Sequence, residues 1–274
     1  MDDEVLCTLD GGVALVTLNR PDRLNAFTIE VGRAYDRCMA RLGADATVRA
    51  IVITGAGRGF CGGADAGRLA TIAKDRAKLA DPEISPLETL TSAPPHLRRR
   101  YSAAAAVPQP VIAAVNGACA GAGLALAVSC DVRFASADAF FSGIFGRRGL
   151  VAENGLAWTL PRLIGHGAAS DMLLSGRKID AATALRYGLV NEVLPPEALM
   201  GHALAYARDV AANVSPRSAR IIKAQLQGSG EQTLSEALAA SDAALREALA
   251  SEDFQEGVAA MREKRQPVFP DEAR

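Results

Sequence analysis

Hydrophobic and polar positions fall into two regimes along this chain. Up to about residue 195, apolar runs of strand length alternate with glycine loops and helical patterns. Beyond it, helical patterns at 197–213, 217–227, 233–249 and 252–264 follow one another with no strand between them. Residues 4–9 and 13–19 are alternating or apolar runs separated by Asp10-Gly11-Gly12, a hairpin signal. Thr28 is positioned to N-cap a helix over 29–42 that Gly43 ends. Residues 50–54 form a Val/Ile-rich strand running straight into glycine. Val111–Val115 is a second buried strand. An Asn116-Gly117 turn, a small-residue loop over 118–123 and a buried helix over 124–130 follow it.

Between these units the signal varies. Pro82, Pro86, Pro94 and Pro95 break the stretch from 74 to 96, which reads as a mobile, lid-like segment. A helical piece is expected over 96–106, and short strands over 132–135, 139–141 and 190–194. Residues 145–154 read as a loop, and 155–164 as a helix interrupted by Pro161. Helices over 168–174 and 181–187 close on Gly176 and Gly188. The pattern predicts an α/β core, residues 1–195, and a helical C-terminal region, residues 196–274. No strict repeat period is present.

Two stretches, 50–69 and 111–131, share one plan: a strand runs into a glycine loop that opens a helix. Backbone amides are free at a helix N-terminus, where the dipole favours negative charge. Two such loops facing each other could hold one developing oxyanion. Taken alone, Gly121-Ala122-Gly123 reads better as tight packing of a helix on a strand, and it is the two strand–loop–helix units together that favour the oxyanion reading. Residues 57–62 match G-x-G-x-x-G by letter. They follow the third strand and open a short helix, and the acidic residues near 81 lie among prolines, so a dinucleotide site is disfavoured. No phosphate-binding G-K-[ST] and no G-x-S-x-G elbow is present. His96, His166 and His202 stand apart from any nucleophile motif and read as surface or packing residues, and no Cys/His cluster suggests a metal.

Charge narrows the partners. Thirty basic and 31 acidic residues leave a formal net charge of −1, which argues against nucleic acid. The basic cluster Arg98, Arg99 and Arg100 reads as a solvated face. Five cysteines, an odd number without a C-x-x-C pair, fit reduced thiols in a cytoplasmic protein. No signal peptide is visible at the acidic start, and no apolar run is long enough to span a bilayer, so no membrane partner is expected.

In combination these residues resemble the crotonase superfamily, the enoyl-CoA hydratase/isomerase family. Arg20-Pro21-Asp22-Arg23-Leu24-Asn25-Ala26-Phe27 is similar to its NRP-x-x-x-NA signature. Residues 58–65, RGFCGGAD, are similar to its F-(C/S)-x-G-x-D loop. Residues 110–131 are similar to P-x-I-A-A-V-N-G…G-x-G…C-D. Further likeness in 149–165, 174–193 and 251–269 extends the match over about residues 4 to 269. The resemblance implies a spiral of β-β-α units, a helical C-terminal trimerisation part, and a homotrimer or a hexamer made as a dimer of trimers. It implies acyl-CoA thioester substrates of the kind used in fatty acid metabolism. Coenzyme A is then part of the substrate and no other cofactor is needed. The backbone amides of Ala64 and Ala122 match the oxyanion-hole positions. Coenzyme A contacts map to Arg23, Leu24 and Ala26, and to Ala64, Asp65, Ala66, Gly67 and Ala122. Asp65 also reads as structural, at its helix start, as do Asp131 and Asp138.

Two departures matter. The two glutamates that handle water in the family's hydratases fall at Ala125 and Phe145, and neither side chain moves a proton. Lyase chemistry by the two-glutamate route is therefore doubtful. Glu153 remains at a loop position where some isomerase-type members carry an acid. Burial there would raise its pKa. Otherwise Glu153 caps the next helix or pairs with Arg147 or Arg148. The expectation is an enoyl-CoA isomerase-like enzyme using Glu153. The alternative is a non-catalytic acyl-CoA-binding protein of the same fold.

Overall fold

The computed structural model of the chain describes residues 4–75, 86–91 and 93–271. Two sheets carry the architecture. The first has six strands: β1 (Val5–Asp10), β2 (Val13–Leu18), β3 (Ala50–Gly55), β5 (Val111–Val115), β7 (Val132–Ser136) and β10 (Glu192–Leu194), in the order β1-β2-β3-β5-β7-β10. The second has four: β4 (Gly59–Cys61), β6 (Ala118–Ala120), β8 (Phe140–Ser142) and β9 (Lys178–Asp180), in that order. The chain steps from the first sheet to the second three times, β3 to β4, β5 to β6 and β7 to β8, and a helix follows each step. These are α2 (Ala66–Lys74), α4 (Ala122–Ser129) and α5 (Leu156–Ser175). The β1–β2 hairpin feeds α1 (Ile29–Ala44), and the remaining core helices are α3 (Ala103–Ala106) and α6 (Ala181–Tyr187).

The apolar runs are continuous because the first sheet is covered on both faces, the usual state of parallel strands. One face carries the large core, in which α1 buries Val31, Ala34, Tyr35, Cys38, Met39 and Leu42 at helical spacing. The other face, through Val13, Val52, Ile112 and Ala114, receives α7 (Pro196–Asn213) along Leu199, Ala203, Ala207 and Ala211. A small residue at every fourth position lets that helix lie close to the strands.

Two asparagines hold the turns between the sheets. Buried Asn25 donates through Nδ2 to Ala56 O (2.9 Å) and Gly59 O (2.7 Å) and accepts from the Arg20 amide (2.8 Å). Asn116 donates to Gly55 O and Gly57 O, both at 2.8 Å. The C-terminal helices α8 (Pro216–Gly228), α9 (Leu234–Leu249) and α10 (Glu252–Glu263) follow α7. Lys223 of α8 is buried and donates to Ala104 O (2.7 Å) and Gln109 O (2.8 Å), with Asp131 at 2.8 Å.

Several sequence expectations need correction. The first helix runs through Gly43 to Ala44, because Gly43 packs flat against Leu90 and Val107 inside the helix. The loop expected over 118–123 contains β6, and the helix starts at Ala122. Three-residue strands such as β4, β6 and β9 are too short for periodicity to reveal. The helix expected to break at Pro161 continues past it and turns at Gly165 (φ 78°), a conformation that glycine adopts without strain. The piece expected over 96–106 is split into two 3-10 turns and α3. Arg98 and Arg100 do not form a solvated face. Arg98 donates to Ala93 O and Thr91 O, and Arg100 pairs with buried Asp36 at 2.8 Å. Of the proposed lid, residues 76–85 and 92 lie outside the described residues.

Replacing Asn25 leaves the part-buried Ala56 carbonyl without this donor, at about 1–3 kcal/mol, while the Gly59 carbonyl keeps Asn116 Nδ2 at 3.3 Å. The Asn25 φ of 55° adds about 1 kcal/mol or more for alanine. Asn25→Ala is expected to lose about 2–4 kcal/mol by these terms, read as a lower urea midpoint at unchanged slope.

Candidate active site

The site grows from the point where the two glycine loops touch. Gly63 has a φ of 101°, and a Cβ there would sit 2.8 Å from Ala120 O and 3.6 Å from Ala122 N. Only glycine fits, and its absence of a side chain brings the Ala64 and Ala122 backbones together. Ala64 is fixed by a parallel bridge to Phe27. The Phe27 amide donates to Gly63 O (2.8 Å) and the Asp65 amide donates to Phe27 O (3.0 Å). This alternation turns the Ala64 N–H away from Phe27.

Ala122 is the first residue of α4, after Gly121 (φ 54°), and no side chain caps this end. The first bond into the helix runs from the Ala125 amide to Gly121 O (3.2 Å), so the first-turn amides have no acceptor within the helix. The opposite end is neutralised. Buried Arg133 donates to the carbonyls of Ala127 and Cys130, where the dipole is negative. The apolar helix thus points its uncapped positive end at the loop contact. Gly123 is required as well, since a Cβ there would lie 2.1 Å from Cys61 O.

The other expected binding residues line up along two turns. Arg23 is exposed at the end of a 3-10 turn, Pro21–Arg23, and Leu24 (φ 49°) accepts through its carbonyl from the Gly62 amide (2.7 Å). Ala26 is buried, and its carbonyl accepts from Arg20 (2.7 Å). Asp65 N-caps α2, accepting from the Gly67 (2.9 Å) and Arg68 (3.3 Å) amides, and pairs with Arg20 at 3.3 Å. Burial would push its pKa up, but the two amides and the Arg20 charge outweigh it and hold the carboxyl below its ordinary value. The Gly67 amide is thereby engaged, while Ala66 and Gly67 remain exposed.

Ala125 and Phe145 are buried, and the Phe145 ring lies 3.9 Å from where a Gly121 Cβ would be. The position of the second expected glutamate is therefore an apolar wall beside the Gly121–Ala122 turn. Glu153 lies in the loop before α5. Gly155, not a side chain, caps that helix, and Arg147 donates to Ser175 O. Glu153 is exposed as a residue, yet partial burial of its carboxyl raises the pKa, opposed by the Arg68 charge. The same two charges act on Tyr101, whose hydroxyl is pushed up first by burial. The Tyr101 ring packs at 5.3 Å from Phe27, the residue that fixes Ala64. The Glu153 and Arg68 charges thus both act on Tyr101, with smaller weight than burial.

Arg68 and Tyr101 escaped the sequence reading. Arg68 follows the Asp65 cap by one helical turn, and its Nε is buried with no hydrogen-bond partner among the described residues. The only sequence signal was that spacing. His96 and His166 are exposed and His202 stacks edge-on against Phe134 at 4.6 Å. Among the described residues no group of acidic, Cys or His side chains could hold a metal, and no helix is long and apolar enough to cross a membrane.

The spiral of strand pairs and the paired amide loops define a crotonase-type protein. Residues 8–272 match the family described as enoyl-CoA hydratase/isomerase, and the chain belongs to that family. It is 33% identical over 273 residues to a 1,2-epoxyphenylacetyl-CoA isomerase of Escherichia coli, covering 98% of this chain and 99% of the relative. It is 36% identical over 266 residues to a probable enoyl-CoA hydratase of Mycobacterium bovis, covering 95% and 90%. The solved structure of an enoyl-CoA hydratase from Bacillus anthracis superposes with a TM-score of 0.87 at 27% identity, covering 98% of this chain and all of that one.

A carboxyl whose pKa is raised on folding contributes stability below its unfolded value and loses it as pH rises through the folded value. Glu153→Gln is therefore expected to raise the melting temperature at neutral pH and to leave it unchanged well below 4.5, the ordinary glutamate value. Calorimetry at the two pH values checks this.

Proposed function

We propose that this chain is an acyl-CoA isomerase that works through a thioester enolate. The observation that carries the reading is Ala125 and Phe145 at the positions that the resemblance gives to the hydratase glutamates, while Glu153 supplies a carboxylate with a raised pKa just before α5. The Ala64 and Ala122 amides would donate to the thioester oxygen as it gains charge. Each such donor is worth about 3 kcal/mol in the barrier. The Glu153 carboxylate would take a proton from one carbon of the enoyl unit and return it to another, with the electron pair held in the enolate between the two steps. Burial makes it a stronger base than an exposed glutamate. The coenzyme A moiety would rest on Arg23, Leu24 and Ala26 and on the Ala64–Gly67 stretch, with no further cofactor. The relative named as 1,2-epoxyphenylacetyl-CoA isomerase adds aromatic acyl esters to the substrate classes worth testing.

The lost glutamates also favour a second reading, an acyl-CoA-binding protein without turnover. Assay of the purified chain with 2-enoyl-, 3-enoyl- and aromatic acyl-CoA esters separates the two. Isomerisation of any of them supports the enzyme, and tight binding without turnover supports the binding protein. With an active ester, Glu153→Gln is expected to lower kcat by at least ~100-fold, the usual contribution of a positioned acid–base, with little change in ester affinity. Because the base must be ionised, wild-type activity should fall as pH drops through the raised Glu153 value. Unchanged turnover in the variant would remove Glu153 from the chemistry.

Residues 196–274 would serve assembly into a trimer or a dimer of trimers. None of the α9 side chains is buried, and Leu234, Leu238, Leu245 and Leu249 form one exposed apolar stripe at helical spacing. The unpaired thiols fit a cytoplasmic setting. Sedimentation of the wild type should give a trimer or hexamer, and Leu238→Glu should shift it to smaller species. A monomeric wild type would contradict the assembly.

A further inference from the structure

The turn between α8 and α9, residues 229–233, supplies no group to the site described above, yet it lies against the helix that follows Glu153. Bonds on both sides hold it there. On α8, Lys223 donates to Ala104 O (2.7 Å) and Gln227, one turn later, donates to Ala105 O (2.7 Å), so the end of that helix is fixed on α3. The Ser229 amide donates to Gln225 O (3.1 Å) and the Glu231 amide to Gly228 O (3.0 Å). Thr233 and Glu236 then bond reciprocally at the start of α9. In the middle of the turn, Gly230 meets the Trp158 indole: a Cβ there would sit 2.9 Å from Cη2 and 3.2 Å from Cζ2 of the ring. The Arg162 guanidinium lies over the same ring, 3.7 Å from its centroid, and donates to Trp158 O (2.9 Å).

We propose that this turn clasps the first turn of α5, and that Trp158 and Gly230 are positioning residues for the Glu153 carboxylate, on the reading above that Glu153 is the base. The joint itself calls for a clasp. Glu153 enters α5 through Asn154 (φ 56°) and Gly155 (φ 75°), two left-handed residues, and no side chain caps the helix. An uncapped first turn frays unless something packs on it. The bond that joins Glu153 to the helix runs from the Leu156 amide to Glu153 O (3.1 Å). Trp158 lies two residues further on, with its own amide bonded to Gly155 O (2.9 Å). A push on the indole is therefore a push on the turn from which Glu153 hangs. The α8–α9 turn restrains that indole without touching the acyl group. Glycine at 230 lets the backbone come up to the ring edge, and the arginine on the ring fixes its orientation.

Trp158 is the only tryptophan in the chain, so its emission reads the contact directly. The test compares the full-length wild type, Gly230→Val, Trp158→Phe and the double variant, each checked for folding by circular dichroism. In Gly230→Val the emission should shift to the red and be quenched more readily by acrylamide, and the amides of residues 153–156 should exchange faster. With an ester that the wild type isomerises, kcat of this variant should fall by about 10- to 100-fold at unchanged KM, the loss expected when a reacting group is misplaced by about 1 Å. Trp158→Phe, which leaves a gap, should also lower kcat. Phenylalanine lacks Cη2 and Cζ2, so the double variant should recover most of the kcat lost in Gly230→Val, whereas independent defects would multiply. Shifted emission with unchanged kcat, a change confined to KM, or multiplied losses would overturn the positioning role. Unchanged emission and exchange in Gly230→Val would overturn the clasp itself. Unchanged turnover in Glu153→Gln, or turnover of no ester by the wild type, would remove the base and with it the positioning role, while the emission and exchange shifts would remain.

Discussion

The geometry of this chain depends on side-chain amides that hold main-chain turns in place. Asn25 and Asn116 each grip the carbonyls of the β3–β4 connection from opposite sides, one from the turn before α1 and one from the turn after β5. Where the reactive groups are backbone N–H donors, no rotamer can correct a misplaced one. The turns must therefore be fixed by bonds of their own. Gly63 and Gly123 complete the requirement by removing the atoms that would hold the two loops apart.

In the proposed mechanism the donors belong to the main chain, and alanine at positions 64 and 122 is compatible with that role. The proton-handling side chain has no such tolerance, and there the chain departs from the hydratase pattern, with Ala125 and Phe145 making an apolar wall. In the proposed mechanism the polarising amides are kept while the acid moves from the α4 face to Glu153, before α5.

Much of the fold was legible in the sequence. The long strands β3 and β5 are continuous apolar runs, the Thr28 cap announces α1, and the four C-terminal helices follow their periodicity to within a few residues. Of the second sheet only β8 was legible, as the strand expected over 139–141; β4, β6 and β9 were not, because three residues carry no period and these strands are defined by partners distant in sequence. Of the site, the glycine loops were visible as loops, but their contact at Gly63 is a tertiary fact. Arg68 and Tyr101 belong to no motif that the sequence analysis singled out. The buried pairing of Arg100 with Asp36, 64 residues apart, turned an apparently solvated basic cluster into part of the frame that carries Tyr101.

Lys223 gives the C-terminal helices a different standing from their composition. Its ammonium is the cation for Asp131, whose other tie is the Val111 amide at the start of β5, and the donor for two buried carbonyls. Cutting the chain between α7 and α8 would leave two buried carbonyls without the Lys223 donor and Asp131 with the Val111 amide alone. The tail is therefore no detachable module: the strand that leads into the second glycine loop closes its charge balance only when α8 has docked.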